Sequence, residues 1–271
     1  MRRIALNRRF VAIVILAFNM CMLSGCGGRQ GSAVIVAGST SVQPYAEILA
    51  EEYALLYPDN FIDVQGGGSS TGITAAGTGV ADIGMSSRGL TEKEQGLWSI
   101  EIARDGLAII IHPDNPIQDL SLHQIRDIYL ADISNWEELG GTGGRIHIVA
   151  REEGSGTRSA FDSLVMGDDS ITPRAIIQNS NGAIRQLVAG DPNSIGFISL
   201  GLVNKSVKAL QLDGVEATSE NVVTGHYSLY RSFLFVAAAA PTGKTKHFID
   251  FVSSGEGQKI LMGEGLIPME G

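Results

Sequence analysis

The stretch IHIVAREEGSGT, residues 146–157, combines an apolar run with a polar loop, and similar combinations recur along the chain. Its apolar half, residues 146–150, predicts a buried strand. The apolar spacing that begins near Arg158 predicts a helix. A loop of glycine and hydroxyl residues that starts with the cation Arg151 lies between them. Unpaired N–H groups at a helix start, hydroxyl donors and glycines that admit a ligand to the backbone are typical of an anion site.

Polar clusters of this kind follow several predicted strands. Strands are predicted at residues 33–37, 61–64 and 81–85, each followed by a helical or capped segment. The clusters lie at residues 38–41, 66–72, 82–88 and 151–157. Alternation of strands and helices predicts an α/β fold with largely parallel sheets, in which ligands gather at the carboxyl ends of strands. The four clusters are therefore expected to converge.

The remaining elements follow from periodicity and caps. Strands are predicted at residues 106–111, 194–198, 207–212 and 227–240. Helices are predicted at residues 44–56, 122–129, 181–188 and, as two segments, 245–262. Thr91 and Glu94 form a capping-box pattern, which predicts a further helix after residue 91.

The amino terminus is typical of a secretory signal. Basic residues 2–9 precede an apolar run at residues 10–18 that is short for a membrane span. Leu23-Ser24-Gly25-Cys26 resembles a bacterial lipobox, which predicts removal of residues 1–25, lipidation of Cys26 and a tether at residues 26–32. An ordinary signal peptide with an incidental cysteine is the alternative. The only other cysteine is Cys21, so the mature fold is expected to contain no internal disulfide.

Charge argues against a nucleic-acid partner. The full chain has 20 basic and 29 acidic residues and a formal charge of −9. Removal of residues 1–25 takes away four arginines and no acid, which leaves 16 basic residues and a charge of −13. Nucleic-acid binders are normally basic. An acidic protein can still bind a small anion through local dipoles and hydrogen bonds.

Motifs for other chemistry are weaker. Gly68-x-Ser70-x-Gly72 fits a nucleophile elbow, which would make Ser70 a hydrolase nucleophile with His226 or His247 as base. Residues 242–245 resemble the end of a P-loop, but the required earlier glycine is Ala238. The histidines have no metal-ligand spacing, and no cofactor is expected.

Four motifs together carry a family resemblance. They are AGSTSVQP at residues 37–44, GGGSSTG at 66–72, ADIGMSSR at 81–88 and RxxGSGTR at 151–158. In this order they resemble the phosphate-binding proteins of bacterial phosphate ABC transporters, and the resemblance covers nearly the whole mature chain. It implies a two-lobed, type II periplasmic-binding-protein-like fold. Each lobe would be a mixed sheet flanked by helices, with two hinge crossovers and the ligand in the cleft.

The resemblance also implies a set of phosphate ligands. Thr40 and Ser41 match first-loop contacts, and Ser41 replaces the bulkier residue of some members. Ser86, Ser87 and Arg88 form a variant motif of less defined role. The predicted phosphate-binding residues are Ser39, Thr40, Ser41, Ser69, Ser70, Asp82, Ser87, Arg88, Arg151, Ser155, Gly156 and Thr157. Glu152 and Glu153 are expected to point away from the ligand.

Asp82 matches the carboxylate that faces phosphate in the family. Phosphate keeps a proton at neutral pH and can donate it to an ionised Asp82, whereas sulfate cannot. Asp82 is therefore expected to discriminate against sulfate, and Arg151 to pair with Asp82 and hold it in place.

The sequence thus predicts a non-enzymatic phosphate receptor that delivers its ligand to the membrane permease of an ABC importer. The expected location is the extracytoplasmic face of the cell membrane, where a lipid on Cys26 anchors a monomer. Lobe I is predicted at residues 33–107 and 228–271, and lobe II at 108–227. A receptor or sensor for another oxyanion, such as sulfate or molybdate, and the Ser70 hydrolase remain as alternatives.

Overall fold

The computed structural model describes residues 33–269. The predicted signal peptide, the tether and Cys26 lie outside the described residues, as do residues 270 and 271. Within the described part, no helix combines the length and the apolar character needed to cross a bilayer.

The described residues alternate between strands and helices. The strands are β1 (Val34–Gly38), β2 (Ile62–Gly66), β3 (Ile83–Ser86), β4 (Trp98–Ile111), β5 (Asp119–Leu120), β6 (His147–Arg151), β7 (Ile176–Gln178), β8 (Ser194–Ser199), β9 (Lys208–Ala209), β10 (Gln211–Leu212) and β11 (Tyr230–Ala237). The helices are α1 (Gln43–Leu56), α2 (Ser69–Thr78), α3 (Leu122–Leu130), α4 (Gly156–Phe161), α5 (Asn181–Gly190), α6 (Ser219–Val223), α7 (Gly243–Ser253) and α8 (Gly255–Gly263). A π-helical turn, Asp162–Met166, continues α4.

The main sheet is mixed. Its strand order is β2-β1-β3-β11-β4-β8-β6-β7, and β9 pairs with β4. The outer groups β2-β1-β3 and β8-β6-β7 are parallel. The central strands are antiparallel, because β11 runs against both β3 and β4, and β4 runs against β8. The expectation of largely parallel sheets therefore holds at the two sides and is wrong at the centre.

Strand β4 is longer than predicted. Its first residues, 98–102, alternate apolar and polar side chains, which is the pattern of a half-buried strand. The capping box of Thr91 and Glu94 forms, but it opens a single helical turn, Glu92–Glu94, and not a longer helix. The predicted strand at residues 207–212 is divided into β9 and β10.

Strand β4 contributes to two separate hydrophobic cores. One core combines apolar residues of 34–103 with those of 233–266 and includes Ile102 and Ala103. The other combines residues of 107–229 with Ile267 and includes Leu107 and Ile109. A smaller cluster, from residues 108–207, packs on the other face of the second group of strands.

Candidate functional site

Three loops meet at the carboxyl ends of β1, β2 and β3. Gly38 lies opposite Gly66 on one side and opposite Met85 on the other, so the three parallel strands end at one level. The carbonyl of Gly38 accepts the N–H groups of Gly67 and Gly68, at 2.8 and 3.0 Å. The predicted convergence of these clusters is therefore present in the structure.

A chain of serine hydroxyls lines this meeting point. The Ser39 Oγ accepts the backbone N–H groups of Ser41 and Val42, at 3.2 and 3.4 Å, and donates to the Ser87 Oγ at 2.9 Å. Ser87 also contacts Ser69, whose Oγ lies 3.2 Å from the Ser87 Oγ and accepts the Ser87 N–H at 3.0 Å. All three serines are at most 2% exposed. The hydrogen bond between the Ser69 and Ser87 hydroxyls uses only one of their two protons, so the other proton can be donated to a ligand.

Arg151, at the end of β6, brings a cation to the same region. Its side chain is 1% exposed. The Nε and one terminal nitrogen donate to both carboxylate oxygens of Glu152, each at 2.8 Å, and the same terminal nitrogen donates to the Asn179 carbonyl at 3.3 Å. Glu152 therefore holds the guanidinium from the side that carries Nε, and its expected orientation away from the ligand stays a prediction. Glu153 is exposed.

The loop after β6 packs against the serine chain. Ser155 caps α4 by accepting the N–H of Arg158 at 3.3 Å. Glycine is the only residue type that fits at position 156, because a Cβ there would collide with the hydroxyls of Ser69 and Ser87. The structure thus brings Ser155 and Gly156 to the residues of the other loops, as predicted.

Ser41 is the centre of a second hydroxyl network. Its Oγ accepts N–H groups from Asn181 at 2.8 Å and from Arg231 at 3.2 Å, and lies 2.7 Å from the Thr157 Oγ1. With both lone pairs occupied, the Ser41 hydroxyl must donate its proton to Thr157. The Thr157 hydroxyl proton is then directed to a further acceptor. Sequence reasoning missed Asn181 and Arg231, which lie outside the glycine- and serine-rich motifs.

Buried donors without acceptors mark the ligand position. Among the described residues, six buried side-chain polar atoms have no hydrogen-bond partner, and three of them belong to this cluster. They are Thr40 Oγ1, Arg151 Nη1 and Arg231 Nη1. A buried donor that lacks an acceptor costs about 1–3 kcal/mol, and more when the group is charged. Arg151 and Arg231 are close enough for their charges to interact, and Thr40 directly follows Ser39 in the first loop, so one anion could satisfy these donors.

Arg88 lies beside the cluster, but its terminal N–H groups are occupied. They donate to both oxygens of Glu94, at 2.8 and 2.9 Å, to the Gly89 carbonyl at 2.9 Å and to the Ser70 Oγ at 3.2 Å. These hydrogen bonds with Arg88 lower the pKa of Glu94 to about 2. The structure therefore shows Arg88 positioning Ser70, in place of the predicted contact with the ligand.

Asp82 is not at the site. It precedes β3, and its Oδ2 accepts the N–H of Ile35 near the start of β1 at 2.8 Å. Asp82 is exposed, and β3 separates it from Ser87. The prediction that Asp82 faces the ligand and pairs with Arg151 is wrong, because the carboxylate lies at the amino ends of strands whose carboxyl ends form the site.

The nucleophile-elbow alternative requires a histidine base beside Ser70, and the two histidines named for this role have other partners. The Ser70 Oγ is bonded to Arg88. His226 Nδ1 lies 2.8 Å from the Thr224 Oγ1, and His247 Nδ1 lies 2.6 Å from the Tyr53 Oη. Neither histidine named as a base contacts Ser70. Among the residues that the structure describes, no group of three or more His, Cys, Asp or Glu side chains could hold a metal ion.

Comparison with known proteins gives one consistent result. A family model described as a PBP superfamily domain matches residues 27–256. The phosphate-binding protein PstS of Bacillus subtilis is 29% identical over 97% of this chain and 95% of its own length. That of Pseudomonas aeruginosa PAO1 is 30% identical over 91% of this chain and 84% of its own length.

Solved structures agree with the sequence relatives. A structure described as a phosphate ABC transporter substrate-binding protein with bound phosphate, from Clostridium perfringens, is 46% identical with a TM-score of 0.85. The match covers 88% of this chain and all of that one. An ABC-type phosphate transport receptor from Vibrio cholerae is 39% identical with a TM-score of 0.73, and covers 87% of this chain and all of its own. The predicted periplasmic-binding-protein-like fold is thereby confirmed.

Proposed function

Because the chain belongs to the PBP superfamily and, within it, to the family of phosphate-binding proteins PstS, we propose that it is a receptor that binds inorganic phosphate outside the cytoplasm and delivers it to an ABC importer. The relatives are binding proteins by name, and the receptor role requires no chemical step. The permease subunits of that importer are the proposed partner.

Buried donors without acceptors in the predicted loops carry this proposal. The Thr40 Oγ1 and the Arg151 Nη1, which belong to the predicted loops, are buried donors without acceptors, and the oxygens of an anion would supply those acceptors. Phosphate offers four oxygens and a negative charge, and hydrogen bonds to a charged partner contribute about 1.5–3 kcal/mol each.

The proposed contacts are those predicted residues that the structure gathers. The residues from the first three loops are Ser39, Thr40, Ser41, Ser69 and Ser87, of which Thr40 and the Ser69–Ser87 pair have a hydroxyl proton left for the ligand. Donors from the loop after β6 are Arg151, Ser155, Gly156 and Thr157. Ser70 is a neighbour held by Arg88. We leave Asp82 out of the set because of its position at the start of β3.

Two lobes that close on the ligand would explain the contacts between the loops. Lobe I is proposed at residues 33–107 and 228–271, and lobe II at 108–227. The N–H of Ser70 donates to the Gly154 carbonyl at 3.1 Å, and Ser41 contacts Thr157, so both contacts join the proposed lobes. Strands β4 and β11 would be the hinge crossovers. Bending there would open and close the cleft.

A lipid on Cys26 is the proposed anchor. Residues 26–32 would then tether a monomeric receptor to the extracytoplasmic face of the cell membrane, with acyl chains and no spanning helix holding it there. Mass spectrometry of the mature amino terminus tests this. A lipid-modified Cys26 supports it, and an unmodified mature amino terminus contradicts it.

Calorimetric titration with an anion series tests the ligand. The purified protein, freed of bound anion, is titrated with phosphate, arsenate, sulfate and molybdate. Saturable binding of phosphate at one site, stronger than that of sulfate or molybdate, supports the proposal. Binding of sulfate or molybdate without binding of phosphate would sink it and favour a receptor for another oxyanion. Labelling of Ser70 by a fluorophosphonate would instead favour the hydrolase.

A further inference from the structure

Arg231 is fixed by a buried carboxylate in the proposed hinge. It lies on β11 directly opposite Asp105 on β4. The two side chains are 3% and 1% exposed. The Arg231 Nη2 and Nε lie 3.0 and 3.3 Å from the Asp105 Oδ2, and the Ser199 hydroxyl donates to the Asp105 Oδ1 at 2.8 Å. Both carboxylate oxygens therefore serve as acceptors, and the guanidinium has one permitted orientation.

The same guanidinium also contacts the hydroxyl network of the candidate site. Nη2 also donates to the Ser41 Oγ, one bond away from Thr157. Nη1 is buried and has no acceptor, which is also the state of Nη1 in Arg151. Each arginine thus has one buried terminal nitrogen without an acceptor.

The two guanidinium groups repel each other. Burial lowers the pKa of Arg231, and the positive charge of Arg151 adds to that lowering. Asp105 opposes the shift by charge and hydrogen bonding. Two buried cations of this kind are stabilised by an anion that contacts both, and the stabilisation grows with the charge of that anion.

We infer that Arg231 is a second cationic ligand of the anion, that Asp105 positions it, and that the two arginines together make the site select the dianionic form of phosphate. This inference rests on the proposed phosphate-binding function. It adds a residue from the hinge strand to the contacts predicted from the loops. Bound phosphate would then link Arg151 on β6 to Arg231 on β11.

The dianion preference has a signature in the pH dependence of binding. Phosphate groups lose a proton near neutral pH, so wild-type affinity should rise as the dianion fraction rises from about pH 6 to pH 8. Arg231→Gln removes one of the two cations. Affinity at the upper pH should fall on the order of 100-fold, as expected for loss of charge-assisted contacts, and its rise with pH should flatten.

Two further variants separate charge from structure. Arg231→Gln with Asp105→Asn removes both charges and leaves an amide pair that can hydrogen-bond, so it keeps the hinge packed if the single variant does not fold. Its binding should show the same flat pH profile. Arg104→Gln, next to Asp105 on β4 but outside the cluster, is the matched control and should bind as the wild type does.

The pH dependence of binding must be assigned either to the ligand or to a titratable neighbour of Arg231. The charged or titratable groups around it are Asp105 on β4, Arg151 on β6 and Tyr45 on α1. Asp105→Asn keeps the charge of Arg231 but loosens its position. Binding should weaken at each pH while the rise with pH remains, because the ligand and not Asp105 is titrating.

Calorimetric titration of phosphate into these proteins at several pH values is the test. A flat profile in both variants that lack Arg231, beside a rising one in the wild type, supports the inference. Unchanged affinity without Arg231 overturns the ligand role, and weakening that is equal at all pH values overturns the preference for the dianion. Unchanged binding by Asp105→Asn overturns the positioning role. A wild-type protein that binds no phosphate overturns the proposed function and this inference together, whereas the other failures leave the proposed function standing.

Discussion

Replacement of Gly156 by alanine should weaken ligand binding without unfolding the protein. Gly156 is the first residue of α4, where alanine is a good helix former. The difficulty is space across the site. A Cβ would lie 2.9 Å from the backbone carbonyl carbon of Ser87, and closer still to the hydroxyls of Ser69 and Ser87, whereas ordinary contacts begin at 3.4 Å.

The size of the effect follows from this distance. The loop after β6 must retreat from Ser87 by at least about 0.5 Å to restore ordinary contact. A retreat of that size would lengthen the proposed ligand contacts of the Gly156 N–H and the Thr157 hydroxyl beyond good hydrogen-bond geometry. Loss of two charge-assisted bonds at about 1.5 kcal/mol each is about 3 kcal/mol, which corresponds to roughly 100-fold weaker binding.

The assay is calorimetric titration of phosphate, with thermal unfolding of the ligand-free protein in parallel. Gly182→Ala is the matched control, because Gly182 also lies in the first turn of a helix and its nearest neighbour, the Ser180 Oγ, is 3.9 Å from an added Cβ. The control should bind normally. Phosphate affinity within threefold of the wild type in Gly156→Ala would refute the close approach of these loops in the bound state.

Three other substitutions test separate parts of the site. Ser41→Ala leaves N–H groups of Asn181 and Arg231 without their acceptor, so phosphate affinity measured by calorimetry should fall about tenfold or more; wild-type affinity would contradict the central position of Ser41. Asp82→Ala removes an exposed acceptor of the Ile35 N–H, so chemical unfolding should show a loss of about 1 kcal/mol or less, while the ratio of phosphate to sulfate affinity stays unchanged; a relaxed ratio would restore the selectivity role predicted from sequence. Arg88→Met removes the partner that lowers the pKa of Glu94 to about 2. A carboxyl group whose pKa is lowered in the fold stabilises the fold at pH values above its unfolded pKa, and this contribution is lost as the pH falls from about 4.5 toward 2. The thermal stability of the variant should therefore decline less than that of the wild type across this interval. Parallel pH profiles of the two proteins would argue against the Arg88–Glu94 pair.

The outer parts of the fold were predictable because their signals are local. Apolar runs that lead into loops of glycine and serine identified β1, β3 and β6, and the periodicity of residues 122–129 and 181–188 identified two helices. The antiparallel centre was not predictable in the same way. Direction is set by how β4 and β11 pair over a distance of more than 100 residues, and no local pattern records it.

The residues of the site could likewise be predicted only where their sequence signals are local. Hydroxyl and glycine residues at strand ends were found because the motif and the position coincide. Asp82 was misplaced because a motif gives the order of residues but not which end of a strand each one occupies; only the structure places it beside Ile35. Arg231 was missed because it lies in an apolar strand. Its only sequence signal was a cation within the predicted strand at residues 227–240.

A crystal structure of the protein grown with phosphate tests the central claim most directly. We expect one phosphate ion whose oxygens accept hydrogen bonds from the Thr40 Oγ1 and the Arg151 Nη1, the buried donors that otherwise lack acceptors. Contacts with the Ser69–Ser87 hydroxyl pair should accompany them. A phosphate ion bound elsewhere, with these donors still unpaired, would contradict the claim that this cluster is the phosphate site.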